Sequence, residues 1–447
     1  MDDQFLFEMP AVAPAAGAEK PRQGGKPRLR CAVRDQIEYR AFALNDMLPD
    51  DHQARIVWKF VEGLDLSPVY DQIASVAGRP GHPAADPRIL FTLWLYATLR
   101  GVGSARELDR LCEHHAAYLW ICGGVSLNYH TLSDFRTLHV DVLDQLLTES
   151  VASLMAEGLV SLDRVAQDGM KVRANAGAAS FRRKPTLEEL LAEAKQQVEA
   201  LRSELEANPA GATDRQRAAR QRAAEEREER IRAALDQLPQ IEAAKKAADK
   251  EKARASTTDA DARTMKMGDG GFRPAFNIQF ATATDSQVIT GVEVTNSGGD
   301  QGQMAPMVKQ HETRYGKTPD EVLVDGGFVK KEDIDTVSAP QGSTTVFAPV
   351  MKSKDPNRDP HQPRPDDSPA VAEWRKRMAT EDAKEIYKQR AATAECSNAQ
   401  ARNRGLQRFP VRGLRKVKAV ALWYALAHNL IRAATLRAAV ALKPAYE

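Results

Sequence analysis

The chain has 447 residues, 43% hydrophobic and 6% aromatic, which excludes a wholly disordered protein and suggests about three structural units. Its 63 basic and 61 acidic residues leave a formal net charge of +2, so only the local distribution of charge can speak about a polyanionic partner. No apolar run approaches the ~20 residues that span a bilayer. The opening MDDQFLFEMP lacks the basic stretch of a secretory signal, and four cysteines (Cys31, Cys112, Cys122, Cys396) are too sparse for a disulfide framework. The expectation is a soluble protein of the reducing cytoplasm.

Residues 1–34, rich in Ala, Pro and Gly and ending PRQGGKPRLRCAVR, read as a flexible basic arm or as an ordinary disordered terminus. From 35 to 158 the pattern is helical. Asp86-Pro87 sets a cap and a first-turn proline ahead of RILFTLWLYATLRG. Ser104 with Glu107, and Thr131 with Asp134, have capping-box spacing. Short-linked helices of this kind form a helix-turn-helix bundle, and Arg100, Arg106, Arg110 and Arg136 at their edges make it a candidate DNA-binding domain. Cys112, His114, His115 and Cys122 match no common zinc spacing and sit in apolar helical context, so buried cysteines are expected there.

Residues 159–182 turn strand-like, with alternation leading to Asp168. From 183 to 255 the composition shifts to Ala, Glu, Arg, Lys and Gln. Leu187, Leu191, Ala194, Val198, Leu201 and Leu205 step as a heptad seam, Asn208-Pro209-Ala210-Gly211 breaks it, and Ile231, Leu235 and Leu238 begin another. That predicts an antiparallel helical hairpin inserted into a domain. Strands FNIQFATAT and QVITGVEVTN follow around Asp285-Ser286, then a helix, the strand EVLVD ending at Asp325, a Gly-Gly turn, the short helix KKEDIDTV and the strand TTVFAPV. A polar loop over 353–369 precedes a long helix from about 370 to 404. The order β-β-β-α-β-α-β-α, with its insertion after the first strand, is that of a ribonuclease-H-like mixed sheet spanning 159–182 and 256–405. The fold class expected is therefore α+β, a helical N-terminal domain plus this sheet domain and its helical-hairpin insertion, with a basic segment and terminal helix over 406–447.

In that order Asp168 closes the first strand, Asp325 closes the strand beside it, and Glu395 lies on the last helix. Three carboxylates would meet at one sheet edge. Held together they repel unless cations occupy the site, and two Mg²⁺ ions about 4 Å apart could drive an in-line phosphoryl displacement. Tyr387, Arg390 and Glu395 stand as Y-x2-R-x4-E, and Glu395, Asn398 and Arg402 share one helical face. Residues 400–418 hold seven basic residues and no acid, a patch that the net charge conceals.

These residues carry a resemblance. The chain resembles DDE transposases of bacterial insertion sequences with an InsH-like N-terminal domain. The likeness extends from about 36 to 436 and runs through LPDDHQARIVWKFVEGLDLSPVY, NYHTLSDFR, QDGMKVRANAG, VLVDGGF, the Tyr387–Arg390–Glu395 helix and GLRKVKAVALWYALAHNLIRAA. It implies Asp168, Asp325 and Glu395 as catalytic metal ligands, with two Mg²⁺ ions for which Mn²⁺ can substitute. It also implies Tyr387 and Arg390 as DNA-positioning residues. Arg402 stands where the family usually has lysine, and Gly326-Gly327-Phe328 replaces the more usual Ala-Gly-Tyr. The implied function is excision and integration of an insertion sequence by metal-dependent cleavage and strand transfer, with terminal inverted repeats and target DNA as partners. Arg106 and Arg136 are candidate DNA contacts, a homodimer or larger synaptic complex is expected, and the setting is a bacterial cytoplasm at the nucleoid. Rival readings are a ribonuclease-H-like nuclease without strand transfer and a catalytically inactive DNA-binding relic.

Overall fold

The computed structural model describes residues 37, 41, 43–76, 78, 82–207, 214–352 and 357–442. The basic arm expected at 1–34, with Cys31, and the break at Asn208–Gly211 lie outside them. Contacts divide the chain after Ala43, and the unit from Leu44 onward holds every element described below.

Seven helices come first: α1 (Gln53–Glu62), α2 (Ser67–Tyr70), α3 (Pro87–Leu99), α4 (Ala105–His114), α5 (Ala116–Cys122), α6 (Tyr129–Leu138) and α7 (Val140–Ala156). Their starts follow capping chemistry. The Asp86 side chain accepts from the Arg88 amide ahead of Pro87, and Ser104 Oγ accepts from the Glu107 amide at 3.3 Å. The third start differs from expectation. Asn128, not Thr131, caps α6, because its Oδ1 accepts from the Thr131 amide at 2.9 Å and so opens the helix one turn earlier. Helix α3 is apolar nearly all round, as a helix surrounded by others must be. Its Phe91 meets Phe135 at 5.2 Å and Trp423, from the far end of the chain, at 5.1 Å.

The sheet then forms from β1 (Arg164–Arg173), followed after the insertion by β4 (Arg263–Lys266), β5 (Phe272–Ala283), β6 (Ile289–Thr295), β7 (Glu321–Leu323) and β8 (Thr345–Phe347). The insertion itself is closed at its base by β2 (Phe181–Arg182) and β3 (Ala255–Ser256), which pair antiparallel. Between them stand α8 (Lys184–Ala207) and α9 (Asp214–Ala243), packed through Leu187 and Ala194 against Ile231 and Leu238. The expected hairpin is thus present. In the main sheet the order is β4-β5-β1-β7-β8, with β6 sharing an edge of β5 with β4. Strands β1 and β5 run antiparallel, β1, β7 and β8 parallel. This mixed sheet, beside a helical N-terminal region, is the architecture expected, with the short β4 in addition.

Helices α10 (Met304–Tyr315) and α11 (Lys331–Val337) flank β7. The long helix expected over 370–404 is instead α12 (Pro369–Ala379), α13 (Glu381–Arg390), a π-turn (Ala391–Glu395) and α14 (Cys396–Asn403). Thr380 makes the first break: its backbone is extended and its side chain accepts from the Ala383 amide, capping a new helix. Finally α15 (Leu414–Leu442) lies across β6, where Asn429 hydrogen-bonds both the N–H and the C=O of Ile289 at 2.8 Å. One core therefore runs from the N-terminal helices through α15 to a face of the sheet.

Candidate active site

The parallel pairing of β1 with β7 covers only Arg164–Ala166 against Glu321–Leu323. Past that point β1 continues, paired with β5 through Arg173, where its other edge meets the chain at Arg408. Asp168 therefore stands mid-strand, two residues beyond the last parallel pair, and not at the end of β1 as expected. Asp325 follows β7 by two residues. Its Oδ1 accepts from the Gly327 amide at 2.7 Å, and a Cβ on Gly327 would meet that same oxygen at 2.9 Å, so the tight turn needs glycine.

The two aspartates lie within electrostatic reach of each other. Burial raises the Asp168 carboxyl to about 6, Arg390 opposes the rise, and the Asp325 carboxylate adds to it. Arg390 Nη1 sits 3.7 Å from Asp168 Oδ1, and both side chains are largely covered. The other carboxylate oxygen, Oδ2, accepts from Asn398 Nδ2 at 2.9 Å. Tyr387 completes this side: burial raises its hydroxyl, Arg390 lowers it, and both aspartates push it up. The structure thus gathers Asp168, Asp325, Tyr387 and Arg390, as the sequence led one to expect, and adds Asn398.

It does not gather Glu395. That residue ends the π-turn, exposed, with no hydrogen bond or ion pair to either aspartate. Among the described residues no group of three or more His, Cys, Asp or Glu side chains is arranged to hold a metal ion. The reason is local. Four residues lie between Arg390 and Glu395, and the segment Ala391–Glu395 is a π-turn. Thr393 and Ala394 face inward and are buried, so Glu395 stays at the rim while Asn398, one turn on, reaches the strand.

On the neighbouring position of β1, Gly169 has no room for a side chain: a Cβ would fall 2.0 Å from Asp300 Oδ1 and 2.7 Å from Gln279 Nε2. Asp300 is fixed there by Asn277 Nδ2 and Gln279 Nε2, each donating at 2.7 Å. Its charge also reaches Asp168. Nothing in the sequence pattern singled out Asp300, which lies in a loop after β6.

The donor chemistry fits a hard divalent cation. Two adjacent carboxylates, one buried and its ionised form disfavoured, are oxygen ligands that a cation would relieve of mutual repulsion.

The candidate DNA contacts separate. Arg106 is exposed, its guanidinium 4.9 Å above the Tyr129 ring, and Arg402 is exposed on α14. Arg136 is not at the surface. It is 6% exposed, stacked 4.7 Å over Trp94, with Nη1 donating to the Gly103 carbonyl at 2.5 Å. Its long stem and planar head suit core packing, and burial lowers its pKa to about 10. The turn at Arg404-Gly405 sits against Gly101, since a Cβ on Gly405 would meet the Gly101 carbonyl at 3.3 Å. The basic segment therefore runs beside the exposed Arg100 that follows α3. Cys112 and Cys122 are free thiols, Cys122 buried and Cys112 half-buried.

Two family models match the chain. A transposase DDE domain family matches residues 351–434, and a transposase domain family, DUF772, matches residues 33–138. The two matches support a DDE transposase of insertion-element type. The first match takes in Tyr387, Arg390, Glu395, Asn398 and Arg402, and the second takes in N-terminal helices with Arg106 and Arg136. Asp168 and Asp325 lie outside both matched segments, so their pairing is carried by the geometry of β1 and β7. No curated protein and no solved structure matches the chain. Among the described residues, no helix is long and apolar enough to cross a membrane.

Proposed function

We propose that this transposase cuts DNA at the ends of an insertion sequence and joins the freed ends to target DNA, with Asp168, Asp325 and Glu395 as the acids of a Mg²⁺-dependent centre in which Mn²⁺ can substitute. The observation that carries the reading is the pair of aspartates presented where β1 and β7 part, with Arg390 across Asp168. Bound there, two divalent ions supply the activation of a water or 3′-hydroxyl and the stabilisation of the leaving oxygen. The chain's own residues do the rest. Asp168 and Asp325 hold the cation-binding oxygens on adjacent strands, and Glu395 reaches the site from the rim by a side-chain swing. Arg390 offsets part of the negative charge on Asp168 while the site is free of substrate, and it is placed, with Tyr387, to meet a phosphate that enters.

DNA would be held by the exposed cations. Arg402 and the basic run after it lie next to the centre in sequence, and Arg106 presents a charge on the N-terminal helices, where terminal repeats would dock mainly through phosphate contacts. Joining two ends at one target calls for a homodimer or larger synaptic complex, in a cytoplasm at the nucleoid. The test uses labelled DNA spanning each boundary of the element, purified full-length protein and Mg²⁺ or Mn²⁺. Nicks at a repeat boundary that vanish in EDTA, followed by transfer to a target plasmid, are expected. Nicking without any joined product would favour a plain nuclease, and tight binding without nicking in either metal would favour an inactive relic.

A further inference from the structure

Asn398 stands apart from every other polar residue of the last helices. It is 3% exposed and its Nδ2 donates to Asp168 Oδ2 at 2.9 Å. Its Oδ1, the other terminal atom of the same amide, is buried without a hydrogen-bond partner. A buried acceptor left unpaired is costly, on the order of 1–3 kcal/mol, and such an atom beside the Asp168 carboxylate calls for an explanation. Turning the amide over does not help. It would set Oδ1 against the Asp168 oxygen, acceptor to acceptor, and strand the N–H₂ group instead.

The surroundings narrow what Oδ1 can meet. Arg390 Nη1 is also buried without a hydrogen-bond partner, though paired by charge with Asp168. Asn398 and Arg390 thus bracket the two oxygens of one carboxylate, one from each side of the π-turn.

We propose that Asn398 is a working member of the cation site: its Nδ2 fixes the orientation of the Asp168 carboxylate, and its Oδ1 is a neutral oxygen donor to a divalent cation held with Asp168 and Asp325. This rests on the metal-dependent reading above and deepens it. A neutral donor adds an oxygen ligand without adding a further negative charge beside the acids already there. The inner position of the last helix, directed at the strand, belongs to Asn398, and the rim position to Glu395.

The test is Mn²⁺ binding to the full-length protein, followed by titration calorimetry and by melting temperature, with Asn398→Ala, Asn398→Asp and Asp168→Asn beside wild type. Asn398→Ala should weaken Mn²⁺ binding roughly tenfold and raise the Mn²⁺ concentration for half-maximal nicking by the same factor. Asn398→Asp puts a charged oxygen at the same place and should bind Mn²⁺ at least as tightly as wild type. Affinity unchanged in Asn398→Ala, or an Asn398→Asp as weak as the alanine variant, would overturn the inference. Should Asn398→Ala fail to fold, Asn398→Asp decides alone. A wild type that binds no Mn²⁺ overturns the metal-dependent reading itself, whereas binding that is lost in Asp168→Asn and indifferent to residue 398 overturns only this inference.

Discussion

Two buried aspartates in this chain look alike in their burial and differ in what holds them. Burial raises both Asp168 and Asp259 to about 6. Asp259 lies just before β4, and its hydrogen bonds come from the backbone: Oδ1 accepts from the Gly413 amide at 3.2 Å, while Asp261 Oδ2 accepts from the Leu414 amide at 2.9 Å. The pair therefore caps the start of α15. Asp168 is held instead by side chains from a distant segment, Arg390 and Asn398, and faces a second carboxylate at Asp325. A perturbed carboxyl alone reports burial. What separates a structural acid from a reactive one here is whether its partners are amides committed to a helix end or side chains able to exchange for a substrate or cation.

The largest effect expected is on chemistry. Asp325→Ala should lower the rate of strand cleavage by at least about a thousandfold, a range typical when one member of a catalytic unit is lost, read in the nicking assay with DNA affinity within a fewfold of wild type. A second prediction probes the strand that carries Asp168. Gly169→Ala drives a methyl into Asp300 and Gln279 and should cost about 1–3 kcal/mol of stability, with cleavage falling as well; chemical denaturation checks the first and nicking the second. A variant as stable and as active as wild type would show that the packing over Gly169 does not matter.

Asp259→Asn gives the sharpest contrast with Asp168, through pH. A carboxyl whose folded pKa is raised from 3.8 to about 6 binds its proton more tightly when folded. Its stabilising contribution is full below about pH 4 and is lost as the pH rises through about 6. Asparagine keeps the Oδ1 acceptor and carries no charge, so the variant should be more stable than wild type at pH 7.5 by at most about 3 kcal/mol, from a shift of about two pKa units. At pH 4 it should show no gain. Melting curves at the two pH values decide, and a gain of equal size at both would contradict the cause given. The smallest effect expected is on binding. Arg106→Ala should reduce DNA affinity a fewfold and the salt slope by about 1, measured by fluorescence anisotropy over a salt series. Arg136→Ala, from the core, should instead lower the melting temperature.

Much of this arrangement could be read from the chain. The neighbouring placement of β1 and β7 follows from strand order, and the caps at Asp86 and Ser104 from side chains whose only efficient partners are the amides beyond them. Tyr387 and Arg390 were legible as a pair on one helical face. Other features depend on contacts that no local pattern contains. Arg136 reads as a surface cation until Trp94 and Gly103 are seen around it. Thr380 interrupts a periodic run because its hydroxyl finds the Ala383 amide, a competition that periodicity does not register. Glu395 and Asn398 lie one turn apart, yet Asn398 is buried against Asp168 while Glu395 is exposed, a difference that helical spacing does not register. Asp300 is visible only through the missing side chain of Gly169.

The most direct test of the account is excision of the marked element from a plasmid in cells, comparing Asp168→Asn with Asp259→Asn at equal protein levels. Both substitutions remove a buried charge raised by the same cause. The account predicts excision below detection for Asp168→Asn and near wild-type excision for Asp259→Asn. Excision that survives in Asp168→Asn, or that is lost only in Asp259→Asn, would contradict it.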